Sequence, residues 1–328
     1  MSDQALPAAG QQSPGASGRR AAPRGAALGK VFEGLCFSAA TALLIALGGL
    51  LVSLVLGAWP AMRTFGFGFL FSTTWNPVTD VYGAAGPIVG TLVTAAVALL
   101  ISLPIAGGVA FFLTELCPAR LRRPIGTAVE LLAGIPSIVY GMWGLFVFAP
   151  LFSKFVQLPL MAAAAPGSLL EKLTTGIPNG SGILSASIIL AIMILPFMAA
   201  TLRELLLTVP AAVRESAYGL GATTAEVVMS VTLPYVRTGA IGAVMLGLGR
   251  ALGETMAVTF IIGNSHGFPK SMFDSGSTIA STIANEFAEA TTPMHVGALI
   301  YLGLVLFVMS FAVLGLARLM LRRQGGAA

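Results

Sequence analysis

Long apolar runs separated by short polar segments dominate the order of residues along the chain. Six of these runs are long enough to cross the roughly 30 Å hydrocarbon core of a bilayer as helices. They lie at about 34–57, 87–113, 127–149, 182–207, 238–263 and 296–320. The first run is too long for the apolar core of a signal peptide, so it is predicted to be a retained anchor. The pattern predicts an all-α, polytopic membrane protein with six transmembrane helices.

The composition agrees with a chain that faces lipid. Only 9% of the 328 residues are Asp, Glu, Lys or Arg, against roughly 25% in an average globular protein, and 56% are hydrophobic. So few charged side chains cannot cover the surface of a soluble domain of this size. The formal net charge of +5 would suggest nucleic-acid binding in a soluble protein, but here it follows from membrane topology. The two cysteines, Cys36 and Cys117, suggest neither a disulfide nor a metal site.

The basic residues are concentrated in alternate loops. Thirteen of the 18 Lys and Arg residues lie in the N-terminal tail, the 114–126 loop, the 203–237 loop and the C-terminal end of the chain from Arg318 to Arg323. Because cytoplasmic loops carry the excess of Lys and Arg, both termini are expected in the cytoplasm. Residues 1–32 are predicted to be a disordered tail. The membrane domain is expected over 33–323, and a short C-terminal tail follows it at 324–328.

The polar segment between the fourth and fifth runs is the most informative one. Pro210 suits the first turn of a helix and Gly221 suits a left-handed exit, which predicts a short helix between them. Thr223 and Glu226 have the spacing of a capping box, so a second helix is expected to start there and to stop before Pro234. Two short helices joined at a glycine are marginally stable alone, so this corner is expected to dock on a partner.

The signature in this segment resembles the EAA loop of ABC-importer permeases. Glu215-Ser216-Ala217 is followed by Gly221 and, further on, by Leu233-Pro234. The resemblance implies the type I ABC-importer permease fold, with residues 208–234 as a coupling loop that sits in a cleft of an ATPase subunit. The residues that it assigns to ATPase coupling are Arg214, Glu215, Ser216, Ala217, Gly221, Thr223, Glu226, Leu233 and Pro234. The alternative is an amphipathic surface helix without a partner.

Three further motifs resemble phosphate-importer permeases of the PstC type. They are Trp75-Asn76-Pro77 before the second run, the 130–141 stretch in the third and the 249–256 stretch in the fifth. The resemblance implies a permease that forms half of a phosphate pathway in a bacterial inner membrane, surrounded by membrane lipid. It implies three partners: a PstA-type second permease, a dimer of PstB-type ATPases and an external PstS-type phosphate-binding protein.

No enzyme site is expected in the chain itself. Residues 24–31 approach the phosphate-binding P-loop pattern, but Arg24 stands where it needs Gly and Val31 where it needs Ser or Thr. ATP and Mg²⁺ are therefore expected on a separate ATPase chain, and no catalytic residue, cofactor or metal is expected here. The two histidines, His266 and His295, fall in outer loops, which argues against a histidine-based active site.

One charged pair falls inside an apolar run. Arg250 lies near the middle of the fifth run, where inserting Arg costs about 2.5 to 3.5 kcal/mol on insertion scales. Glu254 follows one helical turn later, so the two side chains are expected to pair and to line the substrate pathway. One interpretation is that the pair only fixes the rotation of the helix. The other is that Arg250 offers planar hydrogen-bond donors to a phosphate ion that crosses the membrane. Glu130 precedes a kink expected between Gly134 and Pro136. It is a further pathway candidate as a gating residue, and the alternative is that it caps a helix or contacts a loop.

Two other functions fit the sequence. An ABC permease for another oxyanion or small solute would carry the same coupling loop, because that loop gives no information on the substrate. An ion-driven secondary transporter is the alternative from a different class, although no inverted repeat is visible in the sequence. Dependence of transport on ATP separates the two classes.

Overall fold

The computed structural model describes residues 26–325, which fold almost entirely into helices. β-structure within this range is limited to two isolated bridges, Asn76 with Val81 and Gly263 with Gly276. The helices are α1 Ala26–Phe65, α2 Gly68–Phe71, α3 Ala85–Leu116, α4 Ala119–Ala133, α5 Ser137–Ala163, α6 Leu169–Thr174, α7 Ile183–Leu207, α8 Ala211–Gly219, α9 Thr224–Leu252, α10 Met256–Thr259, α11 Ile279–Glu286 and α12 Pro293–Gly325. The prediction of an all-α fold is confirmed.

The chain divides into two units after Val52. The described part of the first unit, residues 26–52, is one uninterrupted helix, the N-terminal part of α1. The second unit begins at Ser53 and holds the other elements. The predicted disordered tail, 1–32, lies mostly outside the described residues, but α1 begins within it at Ala26. The predicted C-terminal tail starts within α12 and otherwise lies outside the described residues.

Six helices in the described part of the chain are long and apolar enough to span a membrane. They are α1 from Gly29 onward, α3, α5, α7, α9 and α12 as far as Leu319. The second, fourth and sixth predicted runs coincide closely with α3, α7 and α12, and the first run lies inside α1. The third and fifth runs are displaced along the chain, and each displacement has a local cause.

The third predicted span, 127–149, crosses a break in the structure. Helix α4 ends at Ala133 and α5 begins at Ser137, immediately after Pro136. Proline disfavours helical backbone at the residue before it, so Ile135 does not continue α4. The kink expected at this point is therefore a complete break, and the spanning helix is α5.

The fifth span lies nearer to the N-terminus than predicted. Helix α9 begins at Thr224 and passes through Pro234, so the predicted stop before this proline is wrong. A π-helical turn, Val228–Thr232, directly precedes this part of the helix. The wider turn accommodates a residue that has no N–H to donate and whose ring would clash with the carbonyl one turn earlier. The helix ends at Leu252 because the backbone leaves helical geometry at Gly253, which the apolarity of the run does not reveal.

Helix α7 is the most buried of the spanning helices and lies at the centre of the second unit, in contact with α3, α4, α5, α9 and α10. Helix α3 packs along it through small side chains, which allow two helix backbones to approach closely in a membrane protein. The fully buried small residues on α3 include Ala95, Ala98, Ala106 and Ala110. Between the two helices, the hydroxyl of Ser102 lies 3.6 Å from the sulfur of Met198.

Helix α11 packs against the beginning of α3, at the opposite end of that helix from α4. The backbone N–H of Ile279 donates to the hydroxyl oxygen of Thr91 on α3 at 2.9 Å. The loop before α11 touches Gly90: a Cβ added there would lie 2.0 Å from the carbonyl oxygen of Ser277. A side chain at this glycine is therefore incompatible with the observed packing.

We expect Gly90→Ala to lower the free energy of unfolding of the purified permease by about 2 kcal/mol, because the added methyl group forces α3 and the loop apart. Thermal unfolding in detergent measures the change. Gly108→Ala on the same helix is the matched control, since a Cβ at Gly108 meets nothing within 4 Å. The control should be neutral or gain up to about 1 kcal/mol from helix propensity. Equal midpoints for the two variants would contradict the packing described here.

Candidate translocation and coupling site

The predicted corner between the fourth and fifth spans is present. Helix α8 follows Pro210, and Gly221 just beyond its end has a φ of +87°, in the left-handed region that favours glycine. The N–H of Ala222 donates to the carbonyl of Ala217, which satisfies one of the last carbonyls of the helix. The prediction of a short helix that ends at a glycine corner is confirmed.

The helix after the corner begins with the predicted capping box. The hydroxyl oxygen of Thr223 accepts from the N–H of Glu226 at 3.4 Å, and the Glu226 carboxylate accepts from the N–H of Thr223 at 2.8 Å. From this box α9 continues to Leu252, so the corner and the fifth span are one continuous element. Leu233 and Pro234, the end of the coupling signature, are exposed positions on that spanning helix.

The surface of α8 is largely exposed; Arg214 and Ala217 are half-buried, and only Arg214 of these two forms an ion pair. Glu215 and Ser216 are exposed, and Leu220, just after the helix, is 91% exposed. A fully exposed apolar side chain among other exposed residues is typical of a surface that contacts another protein. Nη1 of Arg214 lies 2.9 Å from Oε1 of Glu115 at the end of α3.

Arg250 occupies the last turn of α9 and is exposed. Its Cζ lies 5.6 Å from the ring centroid of Phe197, near the middle of α7. The predicted pair with Glu254 is wrong: α9 ends before Glu254, and no ion pair joins the two side chains. The Glu254 carboxylate instead accepts from the N–H of Ala257 at 3.3 Å, in the first turn of α10. The guanidinium thus faces an aromatic ring and open space rather than a carboxylate.

A second charged group lies on the same side of α7, nearer to its C-terminus. Arg203 donates from Nη1 to Glu130 at 2.9 Å and to Glu204 at 3.1 Å. Next to them is a cavity of about 610 Å³. Its wall contains Glu130, Ala133, Phe197, Ala200, Thr201 and Glu204. Because Phe197 belongs both to this wall and to the contact with Arg250, the structure brings the predicted residues Arg250 and Glu130 to one side of α7.

A cluster beside α11 was not predicted. The carboxylate of Glu286 accepts from Nε1 of Trp75 at 2.7 Å, and Nε2 of each histidine, His266 and His295, lies 2.8 Å from one of its oxygens. The indole of Trp75 stacks on the ring of His266, with centroids 5.3 Å apart, and Tyr82 stacks on His295 at the same distance. We call these five residues the Glu286 cluster.

The electrostatics of the Glu286 cluster favour an ionised carboxylate. Burial alone would raise the pKa of Glu286, but the hydrogen bonds from His266, His295 and Trp75 outweigh it and hold the pKa below its ordinary value. Burial and the hydrogen bond to Asp80 raise the pKa of Tyr82 to about 12, so its hydroxyl stays protonated.

The Glu286 cluster was missed because its members are far apart in the chain and no spacing connects them. Only Trp75 belonged to a recognised motif, and its hydrogen-bond partner could not be read from that motif. The cluster joins the segment before α3, the loop after α10, α11 and the start of α12. Between residues 26 and 325, no group of His, Cys, Asp and Glu has an arrangement that could hold a metal ion.

The fold and the exposed helical corner define a membrane transport permease. Residues 106–325 match the family described as binding-protein-dependent transport system inner membrane component. The chain belongs to this family and, within it, to the group of PstC permease proteins.

Two relatives illustrate that membership. The phosphate transport system permease protein PstC of Mesorhizobium japonicum is 53% identical over 89% of this chain and 90% of its own length. The protein PstC 1 of Mycobacterium tuberculosis is 41% identical over 82% of this chain and 86% of its own length.

Two solved structures share the fold. One is a bacterial ABC transporter involved in the import of the acidic polysaccharide alginate, with a TM-score of 0.58 and 17% identity over 90% of this chain and 98% of that one. The other is the inward-facing MetNI methionine ABC transporter, with a TM-score of 0.51 and 16% identity over 74% of this chain and 94% of that one. At these identities the likeness establishes the ABC-importer permease fold alone.

We expect Glu286→Gln to lower the free energy of unfolding at pH 7 by about 2 kcal/mol, because hydrogen bonds to a charged acceptor are replaced by weaker ones. The pKa of Glu286 is lowered in the folded state, so its stabilising contribution is present above the unfolded pKa and is lost as the pH falls through the folded pKa. The difference in the free energy of unfolding between wild type and variant should therefore shrink below about pH 4.3. Thermal unfolding in detergent across this pH range measures it.

Glu289→Gln, at an exposed position on the same segment, is the matched control and should leave the unfolding midpoint unchanged. A Glu286→Gln midpoint equal to that of wild type at pH 7 would contradict the stabilising role of the cluster.

Proposed function

We propose that this chain is the PstC-type permease subunit of an ATP-driven importer of inorganic phosphate and forms half of its translocation pathway. The observation that carries the proposal is the exposed guanidinium of Arg250, which lies beside the middle of α7 in a largely apolar bundle. Such a charge is costly in hydrocarbon, so it is expected to face water or an anion in the interior of the assembly. The identity to phosphate transport permeases over nine-tenths of the chain supports phosphate as that anion.

Phosphate would contact this chain first at Arg250 and then along the adjoining face of α7. A guanidinium presents planar donors that match the oxygens of phosphate, whereas an ammonium offers only a point charge. Glu254, at the break after α9, remains a pathway candidate because of its place four residues after Arg250, although its carboxylate accepts from the N–H of Ala257 and does not pair with the guanidinium. Glu130 acts through its ion pair with Arg203, beside the cavity that Phe197 shares with the Arg250 contact. A PstA-type permease supplies the other half of the pathway.

Energy would enter through the coupling loop. Glu215, Ser216 and the exposed Leu220 are free to contact a cleft in one of two PstB-type ATPases, which bind ATP and Mg²⁺ and carry out hydrolysis. Arg214 is turned inward instead, so its direct contact with the ATPase is not part of this proposal. The excess of Lys and Arg in alternate loops supports a cytoplasmic position for α8 and both termini, and the external PstS-type protein would deliver phosphate at the opposite face.

The continuity of α9 suggests how the two sites communicate. The helix begins at the capping box of the corner and ends two residues after Arg250, a distance of about 40 Å along a regular helix. A displacement of the corner when the ATPases close would move Arg250 without an intervening flexible joint. ATP binding would in this way shift the population between inward-open and outward-open states.

The nearest alternative substrates are other oxyanions, and the nearest alternative class is an ion-driven transporter. The relatives argue against the first, and membership of the binding-protein-dependent family argues against the second. Phosphate uptake by vesicles that contain this chain and its three partners tests both. Phosphate uptake should require ATP, and the same vesicles should not take up sulfate in place of phosphate. Phosphate uptake without ATP would overturn the proposal.

We expect Arg250→Gln to reduce phosphate uptake by at least about tenfold, because one charged hydrogen-bond donor set on the pathway is lost. Arg250→Lys should be intermediate, since it keeps the charge but not the planar fork. Uptake per assembled complex in vesicles measures both variants. Arg63→Gln, which removes an exposed arginine near the end of α1, is the control and should transport normally. Normal uptake by Arg250→Gln would rule out the pathway role.

We expect Gly221→Trp to abolish retention of the ATPase in the detergent-purified complex. Its φ of +87° already disfavours a side chain, and a Cβ there meets nothing within 4 Å, so the bulk would project from the corner towards the partner. Gly221→Asn is the matched control, because Asn tolerates the left-handed conformation and is small. Co-purification of the ATPase measures retention. If Gly221→Trp retained as much ATPase as Gly221→Asn, the corner would not be the docking site.

A further inference from the structure

The ion pair between Arg214 and Glu115 lies where chain connectivity provides no link. Helix α8 is joined through short segments to α7 before it and to α9 after it, but it has no chain connection to α3. Nη1 of Arg214 and Oε1 of Glu115 are 2.9 Å apart, with side chains that are 22% and 8% exposed. A pair this well shielded from solvent is screened little by salt and cannot separate without leaving a charge in a poorly solvated place.

The position of Glu115 on α3 is unusual. It lies in a π-helical turn, Phe112–Leu116, that forms the last turn of the span. Single π-helical turns inside α-helices occur frequently at functional sites. The turn makes the end of α3 differ from a regular helix at the point where the carboxylate meets Arg214.

At the same end of the bundle α3 packs on α7, but its direct interface with α9 is partly open. A cavity of about 1120 Å³ separates the second half of α3 from the first half of α9. Leu103, Pro104 and Phe111 line it from α3, and Val228 and Met229 line it from α9. A displacement is transmitted poorly across the cavity itself, because the atoms on its two walls do not touch.

We propose that the Arg214–Glu115 ion pair is a mechanical link that makes the second span move with the coupling helix. It rests on the proposed function, because it requires that α8 is displaced by an ATPase. The link adds a direct connection between α8 and the end of α3 to the packing that already joins α3 to α7. Helix α3 in turn contacts α7 at Met198, next to the Phe197 ring that faces Arg250. Arg214 and Glu115 are positioning residues, and neither contacts the substrate.

The test uses the complete complex in proteoliposomes and measures the phosphate transported per ATP hydrolysed. We expect Glu115→Gln and Arg214→Gln to retain the ATPase and to hydrolyse ATP, but to lower that ratio by at least about fivefold. The reversed pair, Glu115→Arg with Arg214→Glu, should restore the ratio to within about twofold of wild type. An apolar pair, Glu115→Leu with Arg214→Met, keeps the volume without the charges and should stay low. Arg120→Gln, exposed on the neighbouring α4, is the control with an unchanged ratio.

Two results would overturn the link. One is a ratio that stays at the wild-type value in both single variants, and the other is an apolar pair that performs as well as the reversed pair. The comparison of the two double variants also decides the matter if a single variant does not assemble, because neither double variant leaves one charge unpaired. Failure of the proposed function looks different: the wild-type complex itself would then take up no phosphate with ATP, and the inference would fall with it.

Discussion

The cost of leaving a polar group unpaired in hydrocarbon determines where this chain can break its helices and where it can place its charges. At the break between α4 and α5, the carbonyl of Leu132 accepts from the N–H of Ile135 at 3.3 Å and from the hydroxyl of Tyr140 at 3.1 Å. At the break after α9, the carboxylate of Glu254 accepts an N–H from the first turn of α10. Each break is thus compensated by a side chain from its own neighbourhood. Arg250 is left without a carboxylate, and its proposed role in the pathway rests on this exposed, unneutralised charge.

The sequence was sufficient for those features that depend on local chemistry. The glycine corner and the capping box follow from Gly221, Thr223 and Glu226, whose backbone preferences act within a few residues. Spans such as α7 follow from apolarity, because a helix surrounded by other helices and lipid has no polar face. Apolarity does not report helix ends inside an apolar run, so the third and fifth spans were misplaced around Pro136 and Gly253. The supposed pair of Arg250 and Glu254 failed for this reason, since it assumed a helix that continues.

Features that depend on long-range pairing could not be read from the sequence. Glu115 and Arg214 are 99 residues apart, Glu130 and Arg203 are 73 apart, and Trp75 and Glu286 are 211 apart. Each of these contacts requires knowledge of which helices are neighbours, and the pattern of apolar runs gives no such order. The sequence could nominate residues for the candidate site but not their partners. Glu130 was chosen for its place before a kink, whereas in the structure it pairs with Arg203 beside the cavity whose wall includes Phe197.

The two ends of α3 differ in how easily they can deform. At its beginning, α11 is held at one end by Thr91 and at the other by Glu286, whose three hydrogen bonds join separate chain segments. At its other end a cavity of about 1120 Å³ borders the helix, and the side chains that line it lack packing partners on that side. If the coupling loop is displaced as proposed, the Arg214–Glu115 ion pair carries the displacement to the cavity end of α3, whereas the Glu286 cluster holds the segments at the beginning of the helix together. A rocking motion of α3 would therefore have its fixed end beside α11.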